Sequence, residues 1–155
     1  DFPSWLYQVK KGATTIWEHW DGLKDDGSMW SADMNSFNHY AYGAIGEWMY
    51  RAMAGIEADP EQPGFKHAVL YPRIGGNLKY TEGNYHSIYG NVGVKWEVQG
   101  TQILLTVQIP VNTTAQIRLD QAKAVVKSDG LTFTKAADYM SAEAGSGTYH
   151  IVFEQ

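Results

Sequence analysis

The stretch Thr14-Thr15-Ile16-Trp17-Glu18-His19-Trp20-Asp21-Gly22 is the densest polar and aromatic cluster in the chain. Glu18 lies between two indoles, which suits carbohydrate chemistry. Indole faces stack on the C–H faces of sugar rings, and a carboxylate partly shielded from water titrates nearer neutrality, where a general acid or base works best. A plainer reading of the same residues is two core tryptophans flanking a surface or paired carboxylate. His39 is the second candidate. On a helix, His39, Gly43, Gly46 and Tyr50 fall at i, i+4, i+7 and i+11, one narrow stripe. Two helical glycines cost roughly 1 kcal/mol each relative to Ala, so the stripe implies close packing or open space. A histidine at its N-terminal end could reach a ligand hydroxyl, or could simply be hydrogen-bonded at a helix start.

The remaining candidates carry less. Glu47 and Arg51 are an i,i+4 pair of the kind that forms a solvated ion pair. Asp21 to Gly27 superficially resembles a calcium loop, but Leu23 takes the third position and the glycine comes late. The five histidines show no zinc spacing, and with no Cys there are no disulfides or thiolate ligands. There is no phosphate-binding glycine loop and no nucleophile elbow, so no metal and no cofactor is implied. Asn112-Thr113-Thr114 is a glycosylation sequon only in a secreted eukaryotic context. Tyr85, His86 and Tyr89 could form a sugar-binding face or merely pack across strands.

Two kinds of element must position these residues. Before residue 57 the pattern is helical. Phe37, Tyr40, Ala41, Ala44, Ile45, Trp48, Met49, Ala52, Met53 and Ile56 form one apolar stripe, with Asn35 or Ser36 as N-cap and Gly55 as stop. A shorter helix is expected from Pro3, with Trp5, Leu6 and Val9 on one side and Gly12 closing it. The intervening residues, Ala13 to Asp33, read as a long functional loop. After Glu57 and the turn Asp59-Pro60-Glu61-Gln62-Pro63-Gly64 the period becomes two. Strands are expected at 68–71, 78–85, 92–98, 103–109, 115–119, 122–126 and 149–153. Gln99-Gly100 marks a hairpin, and Gly145-Ser146-Gly147 a turn before the last strand. Val92, Val94, Trp96 and Val98 share a face, as do Ile103, Leu105, Val107 and Ile109. The pattern predicts an antiparallel β-sandwich.

Composition narrows the classes. Twelve Lys+Arg against seventeen Asp+Glu give a net charge of −5, so no basic field exists to hold nucleic acid. With 19% charged and 44% hydrophobic residues the chain is a folder, and no apolar run approaches the roughly 18 residues of a membrane span. The chain opens at Asp1 without a signal-peptide pattern, so a preceding segment is expected to have been removed. Five of the six Trp precede residue 50. Two helices bearing five Trp cannot enclose a core of their own, so their apolar faces must pack on the sandwich or on helices outside this chain, and residues 1–57 read as the last wall of a larger helical domain.

The motifs Gly12-Ala13-Thr14-Thr15-Ile16-Trp17-Glu18-His19-Trp20-Asp21-Gly22, Met34-Asn35-Ser36-Phe37-Asn38-His39-Tyr40 and Gly46-Glu47-Trp48 resemble the C-terminal end of bacterial α-L-rhamnosidases of glycoside hydrolase family 78. The resemblance continues through Pro63-Gly64-Phe65-Lys66-His67 and Ser87-Ile88-Tyr89-Gly90. It implies a mixed α and β chain, with the last helices of an (α/α)6 barrel in residues 1–57 and an antiparallel β-sandwich in residues 58–155. It also implies an inverting hydrolysis with two carboxyl groups, one protonating the leaving oxygen and one activating water. Glu18 matches the general base and His39 a residue that contacts rhamnose, with Trp17 or Trp20 shaping the wall. The family's general acid lies in earlier barrel helices and has no counterpart here. The implied partners are a rhamnose-containing glycoside or polysaccharide and the missing N-terminal part of the same protein, with no nucleic acid and no membrane. The rival is a stand-alone carbohydrate-binding or structural module, its sugar face drawn from Tyr80, Tyr85, Tyr89 and Trp96.

Overall fold

A computed structural model describes Phe2, residues 4–33 and residues 35–155. Asp1, the expected helix-starting Pro3, and Met34 of the second motif lie outside the described residues. The chain forms two compact units that divide between Glu47 and Trp48. It is mostly β, with two sheets and few helical turns.

In the first unit, helix α1 (Trp5–Lys10) starts at Ser4, whose hydroxyl caps the N–H of Tyr7 at 3.3 Å. Its buried side is Tyr7 and Gln8, not the expected Trp5, Leu6 and Val9, which are exposed. The reason is polar. The Tyr7 hydroxyl donates to the carbonyl of Leu23 at 2.9 Å, and Lys11 pairs with Asp25 at 2.8 Å, so the long loop is fastened to that side. Tyr7 and Trp17 are the buried hydrophobic residues among those described before Trp48, in keeping with a segment that lacks a core of its own.

The long apolar stripe does not form one regular helix. Tyr40–Ala44 is a 3₁₀ helix, α2 is one turn (Ile45–Trp48), and Met49–Ala54 is π-helical. Tyr40, Ile45, Trp48 and Met49 are all exposed. A short helix takes most of its stability from a packed apolar face, and this stretch gains one only at its end, where Ala54 is buried. Neither Asn35 nor Ser36 caps it. The residue before the first turn is His39, without a side-chain cap, because the Ser36 carbonyl is already engaged by the Glu18 N–H. Gly55 does end the helical stretch, at φ 73°. A side chain there would lie 2.0 Å from the Pro72 nitrogen, so only glycine fits.

In the second unit one sheet has the order β1-β2-β6-β9-β8, comprising β1 (Ile56–Ala58), β2 (His67–Leu70), β6 (Thr114–Asp120), β9 (Tyr139–Ala144) and β8 (Thr134–Lys135). The other has the order β3-β4-β5-β10-β7, comprising β3 (Tyr80–Ser87), β4 (Gly90–Gln99), β5 (Gln102–Ile109), β10 (Gly147–Glu154) and β7 (Ala124–Lys127). All seven expected strands are present, and Gly100, at φ 64°, turns β4 into β5. The pairing is antiparallel except between β2 and β6, which run parallel. The chain leaves the first sheet after β2, builds the β3-β4-β5 meander in the second, and re-enters beside β2 in the same direction. Both alternating faces read from the sequence are internal. Val92, Val94, Trp96, Ile103, Leu105, Val107 and Ile109 meet Leu70, Ile117, Leu119 and Phe153 in one core. The Trp96 indole N–H donates to the carbonyl of Met53 at 2.8 Å, satisfying an orphan acceptor of the π-helical turn.

Candidate functional site

The segment 15–18 lies beside the segment 36–39. The Glu18 N–H donates to the Ser36 carbonyl at 2.8 Å, the His39 N–H donates to the Ile16 carbonyl at 2.8 Å, and the Thr15 hydroxyl donates to the Phe37 carbonyl. Glu18 and His39 therefore stand on two strips of backbone paired in antiparallel sense. A second brace comes from α1. The Gln8 side chain, 3% exposed, accepts the Trp17 N–H at 3.2 Å and donates to the His19 carbonyl at 3.4 Å. Both peptide neighbours of Glu18 are thus held by one amide.

Alternation along this extended piece separates its residues. Trp17 turns inward, 5% exposed, edge-on to Phe37 with centroids 5.1 Å apart, and packs over Gly22. Glu18, Trp20 and Asp21 face an open cavity of about 500 Å³, together with Phe2, Trp5, His19 and Tyr42. His39 is not on that wall, but its ring lies 4.9 Å from that of Tyr42, which is. Of the four residues singled out from sequence, the structure brings Glu18 and Trp20 to one cavity, sets His39 one ring behind it, and places Trp17 in the support beneath.

Five lining residues were not singled out from the sequence, and three of them, His19, Asp21 and Tyr42, bring polar groups to the cavity. His19 stacks on Trp30 at 3.7 Å and 20°, and its buried Nε2 has no partner among the described residues. Asp21 adds a second carboxylate, and Tyr42 a phenol. His19 and Asp21 were visible within the aromatic motif, but nothing in their spacing distinguished them from loop residues. The loop's far end is fixed by charge. The Lys11 ammonium holds the Asp25 carboxyl below the usual range, and Asp25 in turn raises Lys11. Burial, followed by Asp25, pushes the Tyr7 phenol up and keeps it a donor.

The second unit offers no continuous aromatic face of the kind the rival required. Trp96 is fully buried. Tyr80 and Tyr85, five residues apart on β3, project to opposite faces. Tyr85 packs on Phe65 at 4.4 Å, and Lys66 lies 5.2 Å from the Tyr89 ring.

Comparison with known proteins divides the chain between residues 53 and 55. A model of the bacterial alpha-L-rhamnosidase C-terminal domain matches residues 55–133, and a model of the bacterial alpha-L-rhamnosidase six-hairpin glycosidase domain matches residues 1–53. An alpha-L-rhamnosidase of Streptomyces avermitilis is 41% identical over 96% of this chain, which spans 14% of that relative. The crystal structure of the Streptomyces avermitilis alpha-L-rhamnosidase complexed with L-rhamnose superposes with a TM-score of 0.85 at 38% identity, over 98% of this chain and 15% of that one. An alpha-L-rhamnosidase structure from Dictyoglumus thermophilum gives 0.81 at 25% identity, over 99% and 18%. Two adjoining matches that together take in most of the chain, one of them covering half of it, show that it belongs to the bacterial α-L-rhamnosidase family.

Proposed function

We propose that the protein of which these residues form part hydrolyses terminal α-L-rhamnosyl residues with inversion, and that Glu18 is its general base. The chain spans about one seventh of the relatives it matches, so most of the active protein lies in other residues. Residues 1–57 are the closing segment of an (α/α)6 barrel, and residues 58–155 are the sandwich that follows it. The junction of the two family matches, between 53 and 55, supports that division.

The observation that carries the assignment is a carboxylate on the wall of an aromatic cavity whose two flanking peptides are both tied down. Glu18 lies beside Trp20, Trp5 and Tyr42, with a backbone fixed by Ser36 and, through its neighbours, by Gln8. A general base must hold a water within hydrogen-bond reach of a fixed anomeric carbon, which rewards that rigidity. In the proposed mechanism Glu18 takes a proton from water as the water attacks, and a carboxylic acid from an earlier barrel helix protonates the leaving oxygen. Trp20 supplies the stacking wall with Trp17 supporting it from behind, and His39 orients a ring hydroxyl. The 155 residues alone carry the base without the acid and do not turn over.

The test is Glu18→Gln in the full-length protein, with an aryl α-L-rhamnoside as substrate. Loss of a general base lowers kcat by roughly 10²- to 10⁴-fold with little change in rhamnose affinity. Weakened binding with unchanged turnover would remove the base assignment.

A further inference from the structure

A second cleft, of about 670 Å³, opens in the sandwich unit around Tyr71, Arg73, Arg118, Asp120, Lys135 and Tyr139. Its floor is organised by stacking. The Tyr71 and Tyr139 rings meet at 5.4 Å and 61°, and the Arg118 guanidinium lies 5.1 Å from the Tyr139 centroid and 5.8 Å from that of Tyr71. Arg118 Nε donates to Gln116 Oε1 at 2.5 Å. Neither Nη of Arg118 has a protein acceptor among the described residues. Asp120 Oδ1, by contrast, accepts from both the Tyr71 hydroxyl at 3.0 Å and Arg73 at 3.3 Å. Burial, followed by Asp120, raises Tyr71, so that hydroxyl keeps its proton.

On balance the cleft is cationic: Arg73, Arg118 and the exposed Lys135 share its lining with Asp120 and Asp138, and the outer edge of Arg118 and the Lys135 ammonium are the cationic groups left to a ligand. This occurs in a chain of net charge −5. A guanidinium locked by two rings and a side-chain amide is pre-organised to take a planar carboxylate through two parallel hydrogen bonds. The volume far exceeds that of a small anion and lies in the range of sites for ligands of several rings. Gln121 and the Tyr139 ring offer further contacts suited to hydroxyls and to C–H faces.

We propose that this cleft binds a carboxylate-bearing saccharide, with Arg118 and Lys135 taking the carboxylate and Tyr139 the sugar face. The choice of a saccharide among carboxylates rests on the rhamnosidase reading, whereas the cationic cleft does not. The site would hold an acidic part of a polymeric substrate away from the hydrolytic centre, acting as an anchor and not as a catalyst.

The experiment is calorimetric titration of the 155-residue chain with trigalacturonate, its uncharged methyl ester and sodium acetate. Arg118→Gln, Lys135→Gln and Glu18→Gln are titrated in parallel. Trigalacturonate binds saturably. The ester and acetate bind at least about tenfold more weakly, and Arg118→Gln loses about tenfold. Lys135→Gln, an exposed change that leaves the core intact, loses several-fold, and Glu18→Gln binds like the parent chain. Absence of saturable binding, equal binding by the ester or by acetate, or undiminished binding by both Arg118→Gln and Lys135→Gln overturns the proposal. Because the readout is binding and does not involve Glu18, failure of the hydrolytic assignment leaves this result standing, and the reverse also holds.

Discussion

The Gln8 side-chain oxygen accepts the backbone N–H of Trp17 at 3.2 Å, from inside the first unit, where Gln8 is 3% exposed. Its amide donates to the carbonyl on the other side of Glu18, that of His19, which also accepts from Gly22 at 3.0 Å. The two bonds are not equivalent, since among the described residues the Trp17 N–H has no second partner whereas the His19 carbonyl has one. Gln8→Leu leaves that buried donor unpaired and costs about 1–3 kcal/mol. Urea unfolding followed by tryptophan fluorescence reports it directly, because five of the six Trp lie before residue 50. In the full-length protein the same change is expected to lower kcat more than it raises KM. A shift confined to KM would mean that Gln8 does not position Glu18.

Trp17 and Trp20 should part company under substitution. Trp17 is 5% exposed and packs on Phe37 and Gly22, so Trp17→Ala removes buried aromatic area and costs about 3–5 kcal/mol. Trp20 is 44% exposed on the cavity wall, so Trp20→Ala stays within about 0.5–1 kcal/mol of the original stability. On the proposed function, the same change in the full-length protein is expected to raise KM for a rhamnoside instead. Equal melting losses for the two would contradict the assignment of one to support and the other to the wall.

Period-two patterning was legible because the sandwich core is built from it. Val92, Val94 and Trp96 on β4, and Leu105 and Val107 on β5, alternate cleanly and are all buried. The strands that went unread had reasons to hide. In β9 the internal positions beyond Met140 are Ala142 and Ala144, small residues of low strand preference, and β8 has two residues. Ile56 continued the helical period and so concealed β1, although Gly55 before it marks the break. The helical stripe misled for a different cause: its apolar face is exposed from Tyr40 to Met49 and reaches the core only at its end, where Ile56 is buried, and periodicity does not reveal how much of a face is packed. In the site, an indole-flanked Glu18 could be singled out by residue type. The roles of Gln8, His19 and Tyr42 depend on contacts between distant segments, which a linear motif does not encode.

Glycine substitutions separate strained positions from permissive ones. Gly55 sits at φ 73°, and a β-carbon added there would meet the Pro72 nitrogen at 2.0 Å, so it cannot become Ala without moving backbone. Gly55→Ala is expected to destabilise the sandwich unit by more than about 2 kcal/mol. Gly46, within α2, has nothing within 4 Å of the corresponding position. Gly46→Ala is expected to stabilise the helical turn by about 0.5–1 kcal/mol. Thermal melts of the two variants should move in opposite directions, and a stabilised Gly55→Ala would refute the close approach.

Asp129 gives the sandwich an acid-sensitive tie. It sits at φ 45° and accepts from the His150 backbone N–H at 2.8 Å, from the His150 ring at 3.0 Å and from Lys127 at 3.2 Å. The His150 N–H, its ring and Lys127, in that order, hold the carboxyl down to about 2. An unfolded aspartate titrates near about 3.9, so the folded state binds this proton less readily. The stabilisation is complete above about pH 5 and is lost as pH falls towards 2, where protonation removes the acceptor charge. Asp129→Asn is expected to flatten that limb of the stability–pH curve while changing little of its shape above about pH 5. Melts at closely spaced pH values check it: if the variant keeps the full acid-side slope, the tie between Asp129 and His150 contributes nothing to stability there.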